Sequence, residues 1–144
     1  VMYINQISVF IENKPGNLAK FTNFLADNHV DMRAFEIADS SDFGIIRIIV
    51  DKPLDTLTLL KDNDWICNLT QVVGVKIPDE PGAMAKTMNI LAEAGVSVEY
   101  VYTFLARGTD DALMVCRVKD NDKVAAIMKK NGVKLVSQED LMKM

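Results

Sequence analysis

The feature that most constrains the fold is an internal repeat with an offset of 66 residues. Residues 7–32 align with residues 73–98 without a gap, and ten of the 26 pairs are identical, which identifies two copies of one unit. Further along, the offset becomes 68, because copy two has two extra residues in a Gly- and Asp-rich turn near Arg107–Asp111. We therefore predict two domains, residues 1–69 and 70–144.

Each copy has the pattern strand-helix-strand-strand-helix-strand. Apolar residues alternate along the first strand at Ile7, Val9 and Ile11, and they do so at the matching positions of copy two. Pro-Gly ends each of these strands, and the helix that follows has apolar residues on one face. A βαββαβ unit is the ferredoxin-like split unit. The sequence therefore predicts an α+β protein made of two ferredoxin-like units.

Local signals refine this outline. Gly95 lies where the first helix of copy two ends, and His29 has the same place in copy one; both residue types tolerate the left-handed conformation. Ser40-Ser41-Asp42 is predicted to form the hairpin turn of copy one. Residues 66–77 are typical of an almost continuous strand, so we expect the two domains to pack tightly.

Two helix starts are also predicted. Pro53 suits the first turn of the second helix of copy one, and Leu54, Leu57 and Leu60 are predicted to face the core. Ser137 begins a segment that is typical of a helix start, which predicts a short final helix.

The third strand of each copy predicts an apolar second face of the sheet. The period of two points Ile45, Arg47 and Ile49 away from the helices, and Leu113, Val115 and Arg117 likewise in copy two. Such a face is too apolar for exposure to solvent, so we expect a homodimer in which another chain covers it.

Composition excludes several classes of function. Apolar residues make up 49% of the chain and charged residues 25%, which is typical of a globular protein, and no apolar run could span a membrane. The net charge is -4 and the basic residues are dispersed, which argues against nucleic-acid binding. Cys67 and Cys116 are far apart in apolar stretches and predict buried thiols in the cytoplasm.

The loop between first strand and first helix has the element D/N-x-P-G-x-L/M in both copies. It reads Asn13-Lys14-Pro15-Gly16-Asn17-Leu18 and Asp79-Glu80-Pro81-Gly82-Ala83-Met84. The helix ends, His29-Val30-Asp31-Met32 and Gly95-Val96-Ser97-Val98, are similar to G-I-N-I. These motifs resemble the ACT domain, a regulatory domain of amino-acid-metabolising enzymes, and the resemblance covers nearly the whole chain twice. We therefore expect no catalytic domain within these 144 residues.

The resemblance implies an arrangement and a site. ACT domains commonly pair side by side into an eight-stranded antiparallel sheet with the helices on one face. Amino acids bind at the seam, between the Pro-Gly loop of one domain and the start of the second strand of its partner. The candidate ligand-binding residues are therefore Asn13, Pro15, Gly16, Asn17, Leu18, Met32, Arg33, Asp79, Pro81, Gly82, Ala83, Met84, Val98, Glu99 and Tyr100.

The chemistry of the loop fits this expectation. A glycine lets backbone approach a ligand closely, and the free N–H groups of the next helix can hold a carboxylate. Asp79 can accept a charge-assisted hydrogen bond from an ammonium group, whereas Asn13 forms only neutral bonds. The copy-two site is therefore predicted to bind amino acids better. Two alternatives remain: Asp79 caps its helix, or Pro-Gly is only a turn.

The second strands differ between the copies. Arg33 and Glu99 occupy equivalent positions in the two copies and have opposite charges. Each side chain is either exposed to solvent or contacts the side chain of a ligand. Tyr100 and Tyr102 either contact the ligand or pack between domains.

The function predicted is a non-catalytic amino-acid sensor that needs no cofactor and changes its association with itself or with a partner enzyme of amino-acid metabolism. No Ser/His or Cys/His constellation, phosphate loop or metal cluster is evident, and His29 is the only histidine. An interaction module without ligand is the first alternative. An acylphosphatase-like enzyme is the second, but both Pro-Gly loops lack the arginine that this chemistry needs.

Overall fold

The computed structural model describes residues 2–39 and 43–144, and Ser40-Ser41-Asp42, the predicted hairpin turn, lies outside them. Within these ranges the chain forms seven strands and five helices. They are β1 (Ile4–Glu12), α1 (Asn17–Asp27), β2 (Met32–Asp39), β3 (Phe43–Val50), α2 (Pro53–Asp62), β4 (Ile66–Pro78), α3 (Ala83–Glu93), β5 (Tyr100–Leu105), β6 (Asp111–Arg117), α4 (Asn121–Lys130), β7 (Lys134–Val136) and α5 (Gln138–Met142). The fold is α+β, as the repeat predicts.

The chain divides into two compact units. The first unit contains Asn5–Thr70, and the second contains Gln71–Met144 together with the first residues through Ile4. In the first unit β3 pairs antiparallel with β1 on one side and with β2 on the other. In the second unit the order is β7-β4-β6-β5, and every pair is antiparallel. This order is that of a ferredoxin-like sheet, so the predicted unit is confirmed.

Both helices of a unit cover the same face of its sheet. The core of the first unit combines alternate residues of β1 and β3 with residues of α1 and α2, namely Ile7, Val9, Ile11, Phe21, Leu25, Ile46, Ile48, Val50 and Leu60. The second unit repeats this set with Val73, Val75, Ile77, Leu91, Met114, Cys116, Val118, Val124 and Met128. The alternating apolar residues of these strands therefore lie on the face of the sheet that the helices cover, in both copies.

The helix ends follow the predicted backbone chemistry. Gly95 has φ of 73° and His29 has φ of 56°, so both close their helices in the left-handed region. Ser137 starts α5 with a capping box, in which its hydroxyl accepts from the Asp140 N–H and the Asp140 carboxylate accepts from the Ser137 N–H. The predicted final helix is confirmed.

Three details differ from the sequence expectation. The almost continuous strand predicted over residues 66–77 is one strand, β4, so seven strands are described where eight were expected. The second strand of copy two was expected from Val96 but begins at Tyr100, because before it only the Glu99 N–H bonds to the neighbouring strand. Leu54 is 64% exposed, and Thr56 faces the core in its place, one helical turn before Leu60.

The homodimer remains a prediction, but an exposed apolar sheet face does not support it. The predicted orientation is correct, because neither core contains the odd-numbered residues of β3 and β6. However, Ile49, Leu113 and Val115 are at most 1% exposed within the single chain. Gln6, on the same face of β1 as Ser8, is also fully buried and donates to the Ser8 hydroxyl.

Gly74 is fixed by close packing within the second unit. A Cβ at this position would lie 2.4 Å from Ile4 Cδ1 and 2.9 Å from the Val136 carbonyl oxygen. We expect Gly74→Ala to lower the free energy of unfolding by about 1–3 kcal/mol, because a backbone atom must move. Gly44→Ala is the matched control, since its nearest atoms are at 3.6 Å and only ordinary contacts result. Urea unfolding of both variants checks this, and equal stabilities would contradict it.

Tyr3 ties the first residues of the chain to α4. Its hydroxyl donates to Asp122, and this bond raises the pKa of Tyr3 from 10.0 to about 12. Because the folded pKa is the higher one, the bond stabilises the fold fully below pH 10, and this stabilisation disappears as the pH rises towards 12. We expect Tyr3→Phe to lower the free energy of unfolding at pH 7 by about 0.5–1 kcal/mol. A stability difference that did not shrink above pH 10 would contradict the assignment.

Candidate functional site

The Pro-Gly loop of copy two leaves the start of α3 uncapped. Gly82 has φ of 89° and precedes the helix in the left-handed conformation, and no side chain of the residues that the structure describes caps this end. The Ala83 N–H donates to the Glu80 carbonyl at 3.3 Å and the Lys86 N–H to the Gly82 carbonyl at 2.9 Å. Among the described residues, the N–H groups of Met84 and Ala85 have no acceptor. These two donors can therefore bind an anionic group.

Asp79 stands before this helix start without a partner. Its carboxylate is exposed and forms no hydrogen bond or ion pair with any residue that the structure describes. The alternative that Asp79 caps α3 is therefore wrong. A free carboxylate and free N–H donors on one short loop offer opposite charges, which are the complement of an ammonium group and a carboxylate.

The loop of copy one has the same backbone but its polar side chains are already bonded. Gly16 has φ of 87°, and within residues 2–39 and 43–144 no side chain caps the start of α1. Asn13 Nδ2 donates to Asp39 Oδ1 at 3.0 Å, and Asn17 Nδ2 donates to the Glu12 carbonyl at 2.8 Å. This loop therefore has fewer free groups than its counterpart in copy two.

The charge at this loop is also partly neutralised. Lys14 Nζ lies 2.7 Å from Glu12 Oε2. This contact lowers the pKa of Glu12 and raises the pKa of Lys14, because each charge stabilises the other. The two copies thus present chemically different loops on a similar backbone.

The charged candidate residues of the second strands form ion pairs within their own unit. Arg33 Nε lies 2.8 Å from Asp51 Oδ1, and the arginine side chain is only 10% exposed. Glu99 Oε2 lies 3.5 Å from Arg117 Nε, and its side chain is 45% exposed. Glu99 is therefore the more accessible of the two charged candidates.

Within a unit, the loop and the start of the second strand lie at opposite ends of the sheet. Glu12, next to the copy-one loop, pairs with Phe43, whereas Met32 pairs with Val50 at the other end of β3. One unit alone therefore does not bring the two groups of candidates together. At that other end, Glu99 lines a cavity of about 250 Å³ in copy two.

The remaining candidates divide by burial. Met32, Ala83, Met84 and Val98 pack against the cores of their units, and Tyr100 is half-buried on β5. Leu18 is 39% exposed. The residues of the Pro-Gly loops themselves are exposed, namely Pro15, Gly16, Pro81 and Gly82. The exposed members of the set are therefore mainly those of the two loops.

A cavity beside the copy-two loop contains residues that the sequence analysis did not single out. Its volume is about 370 Å³, and Glu80 and Ala83 of the loop line it together with Lys76, Lys86 and Lys134. Only Lys86 had a signal in the sequence, because it repeats as Lys20. The other two lysines are brought near each other by strand pairing, which no local spacing predicts.

Other chemistry has little support in the described residues. They contain no group of three or more His, Cys, Asp or Glu side chains that could hold a metal ion. Both cysteines are free thiols, and burial raises the pKa of Cys116 to about 11 and also raises that of Cys67. A thiol with a raised pKa is a poor nucleophile at neutral pH.

Two ferredoxin-like units in tandem, each with a Pro-Gly loop before its first helix, are the arrangement of a paired regulatory domain. The chain matches the ACT domain pair family over residues 2–144. It therefore belongs to this family, whose domains are regulatory modules. No sequence among the curated proteins matches it.

Solved structures agree with this assignment. Protein BT0572 from Bacteroides thetaiotaomicron is similar, with 39% sequence identity, a TM-score of 0.90 and coverage of 99% of this chain and 98% of that one. The regulatory subunit of aspartate kinase from Thermus thermophilus has 15% identity, a TM-score of 0.61 and coverage of 90% and 93%. That from Thermus flavus has 17% identity, a TM-score of 0.58 and the same coverage. The last two share the fold.

In the described part of the chain, no helix has the length and apolar character needed to cross a membrane.

Proposed function

We propose that this protein is a non-catalytic regulator of the cytoplasm that binds a free amino acid. Each copy of the repeat, residues 1–69 and 70–144, acts as one ACT domain, and the copy-two loop is the principal site. The observation that carries this proposal is the free Asp79 carboxylate on the loop that precedes the uncapped start of α3.

The ligand would be recognised by its backbone groups. The N–H groups of Met84 and Ala85 hold its carboxylate, and Asp79 accepts from its ammonium group. Gly82 keeps the loop free of a side chain, and there is open space where its Cβ would be. A second ACT domain that brings the start of its second strand to this loop completes the site and contacts the ligand side chain.

Regulation follows from differential affinity. A ligand that binds one assembly of the protein more tightly than another shifts the equilibrium towards the first. The assembly that the amino acid favours would bind or release a partner enzyme of amino-acid metabolism. The protein itself supplies the sensing step and no chemistry.

A thermal-shift screen against the twenty amino acids tests this proposal. A ligand that binds only the folded state stabilises it by about 2.7 kcal/mol at a hundredfold excess over its dissociation constant. We expect one or two amino acids to raise the melting temperature and the others to leave it unchanged. No shift with any of them would contradict the proposal and favour an interaction module without ligand.

A further inference from the structure

The cavity beside the copy-two loop has the size of a small-molecule site. It is lined by the end of β4, one side of α3, the start of β6 and the turn that leads from α4 into β7. Its volume of about 370 Å³ falls within the roughly 300–1,000 Å³ that is typical of ligand pockets.

Three elements each contribute a lysine to this cavity. Lys76 comes from β4, Lys86 from α3 and Lys134 from β7, and the acidic residues of the lining are Glu80 and Asp111. Lys76 Nζ lies 3.5 Å from Asp111 Oδ2. In the described part of the chain, neither Lys86 nor Lys134 forms a salt bridge. The cavity is therefore a net positive region on a chain whose net charge is -4.

Two of these lysines face each other directly. Lys76 and Lys134 are partners in the antiparallel pairing of β4 and β7. Side chains at such positions have Cβ atoms about 4.5–5.5 Å apart, and like charges there destabilise the sheet. Asp111 beside Lys76 and Asp140 near Lys134 offset part of this repulsion. An anion held between the two lysines offsets the rest, so their pairing favours a bound anion.

The equivalent place in copy one lacks this charge. A cavity of about 380 Å³ lies there, and Phe10, Lys20 and Ile66 occupy the positions that correspond to the three lysines. Lys20 lies over the Trp65 ring, with its Nζ 5.9 Å from the ring centroid. The similar shape therefore recurs without the cross-strand pair of lysines, which belongs to copy two alone.

We propose that the copy-two cavity binds a small dianion, either a phosphate group or a dicarboxylate, through Lys76, Lys86 and Lys134. The ammonium groups donate to the anionic oxygens, as charge-assisted hydrogen bonds. This site goes beyond the proposed amino-acid sensor, because its ligand chemistry is different and it does not use Asp79. The second domain would then bind two different ligands, an amino acid and a dianion.

Titration calorimetry with inorganic phosphate and with succinate, at constant ionic strength and pH 7, tests this inference. We expect the wild-type protein to bind at least one of them. Lys86→Gln and Lys134→Gln should each weaken that binding about tenfold or more, since each removes a charged hydrogen bond. Lys20→Gln is the matched control and should keep the wild-type affinity. Lys20, Lys86 and Lys134 are all exposed, so without ligand the three variants should have the melting temperature of the wild-type protein.

Binding of phosphate alone supports a phosphorylated ligand, and binding of succinate alone supports a dicarboxylate. Binding of neither anion overturns the inference. An unchanged affinity in Lys86→Gln and Lys134→Gln, or an equal loss in Lys20→Gln, overturns it as well. The thermal shift caused by an amino acid should persist in the lysine variants, so failure of this site and failure of the amino-acid site can be told apart.

Discussion

Asp79→Ala is expected to weaken amino-acid binding by about 10- to 100-fold. A hydrogen bond to a charged group contributes about 1.5–3 kcal/mol, and the alanine leaves the ligand ammonium without its anionic partner. Because Asp79 is exposed and caps no helix, the change should leave the melting temperature of the free protein nearly unaltered. Titration calorimetry with the amino acid that gives the largest thermal shift measures the effect.

Asn13→Ala is the matched control for this prediction. Asn13 holds the same position in copy one, where its amide is already bonded to Asp39. We expect the dissociation constant of this variant to stay within about twofold of the wild type. If Asn13→Ala weakens binding as much as Asp79→Ala does, or if Asp79→Ala binds normally, the two loops do not differ as we propose.

Phe21→Ala is expected to lower the free energy of unfolding by about 3–5 kcal/mol. The Phe21 side chain is fully buried, and its ring lies 5.1 Å from that of Trp65 in an edge-to-face arrangement. Truncation removes this contact and leaves a cavity in the core of the first unit. Trp65 is the only tryptophan, so its fluorescence in urea reports the unfolding of that unit.

Phe24→Ala provides the comparison for this core. Its ring is 5.8 Å from Trp65, but the residue is only partly buried. We expect a loss of about 1–2 kcal/mol, since less apolar area is removed from the core. Equal losses for the two variants would mean that Phe21 is not the centre of this cluster.

Much of the fold could be predicted because the signals are local and occur twice. Alternation at Ile7, Val9 and Ile11 identified β1, and the same residues form the helix-covered core. Gly95 and His29 were predicted from the conformation that a helix end needs, and both have positive φ. Because each of these sequence signals occurs at the matching position of both copies, a chance match to the fold is improbable.

The sequence was less informative where burial depends on distant parts of the chain. The odd-numbered residues of β6 were assigned correctly to the second face, yet Leu113 and Val115 are buried without a second chain. Alternation reports which residues share a face and not what covers that face. The prediction that Leu54 faces the core was wrong for a related reason. Thr56 fits the helical period equally well, and it is the residue that is buried.

The candidate site could be located from the sequence as a loop, but the charged groups around it could not be predicted. Pro81-Gly82 marked the position, and the free state of Asp79 became evident only from the contacts around it. The neighbouring lysines were missed because Lys76 and Lys134 are far apart in sequence and meet only through the pairing of β4 with β7. Strand register is needed to see such a cluster.

The most direct test of the amino-acid site is the amide spectrum of the isotope-labelled protein, recorded by NMR while the amino acid is added. We expect the signals of Met84 and Ala85 to move most, because their N–H groups gain the ligand carboxylate as an acceptor. Signals of Leu18 and Ala19, at the matching positions of copy one, should move little. Movement of the copy-one signals alone, or no movement near Gly82, would contradict the account.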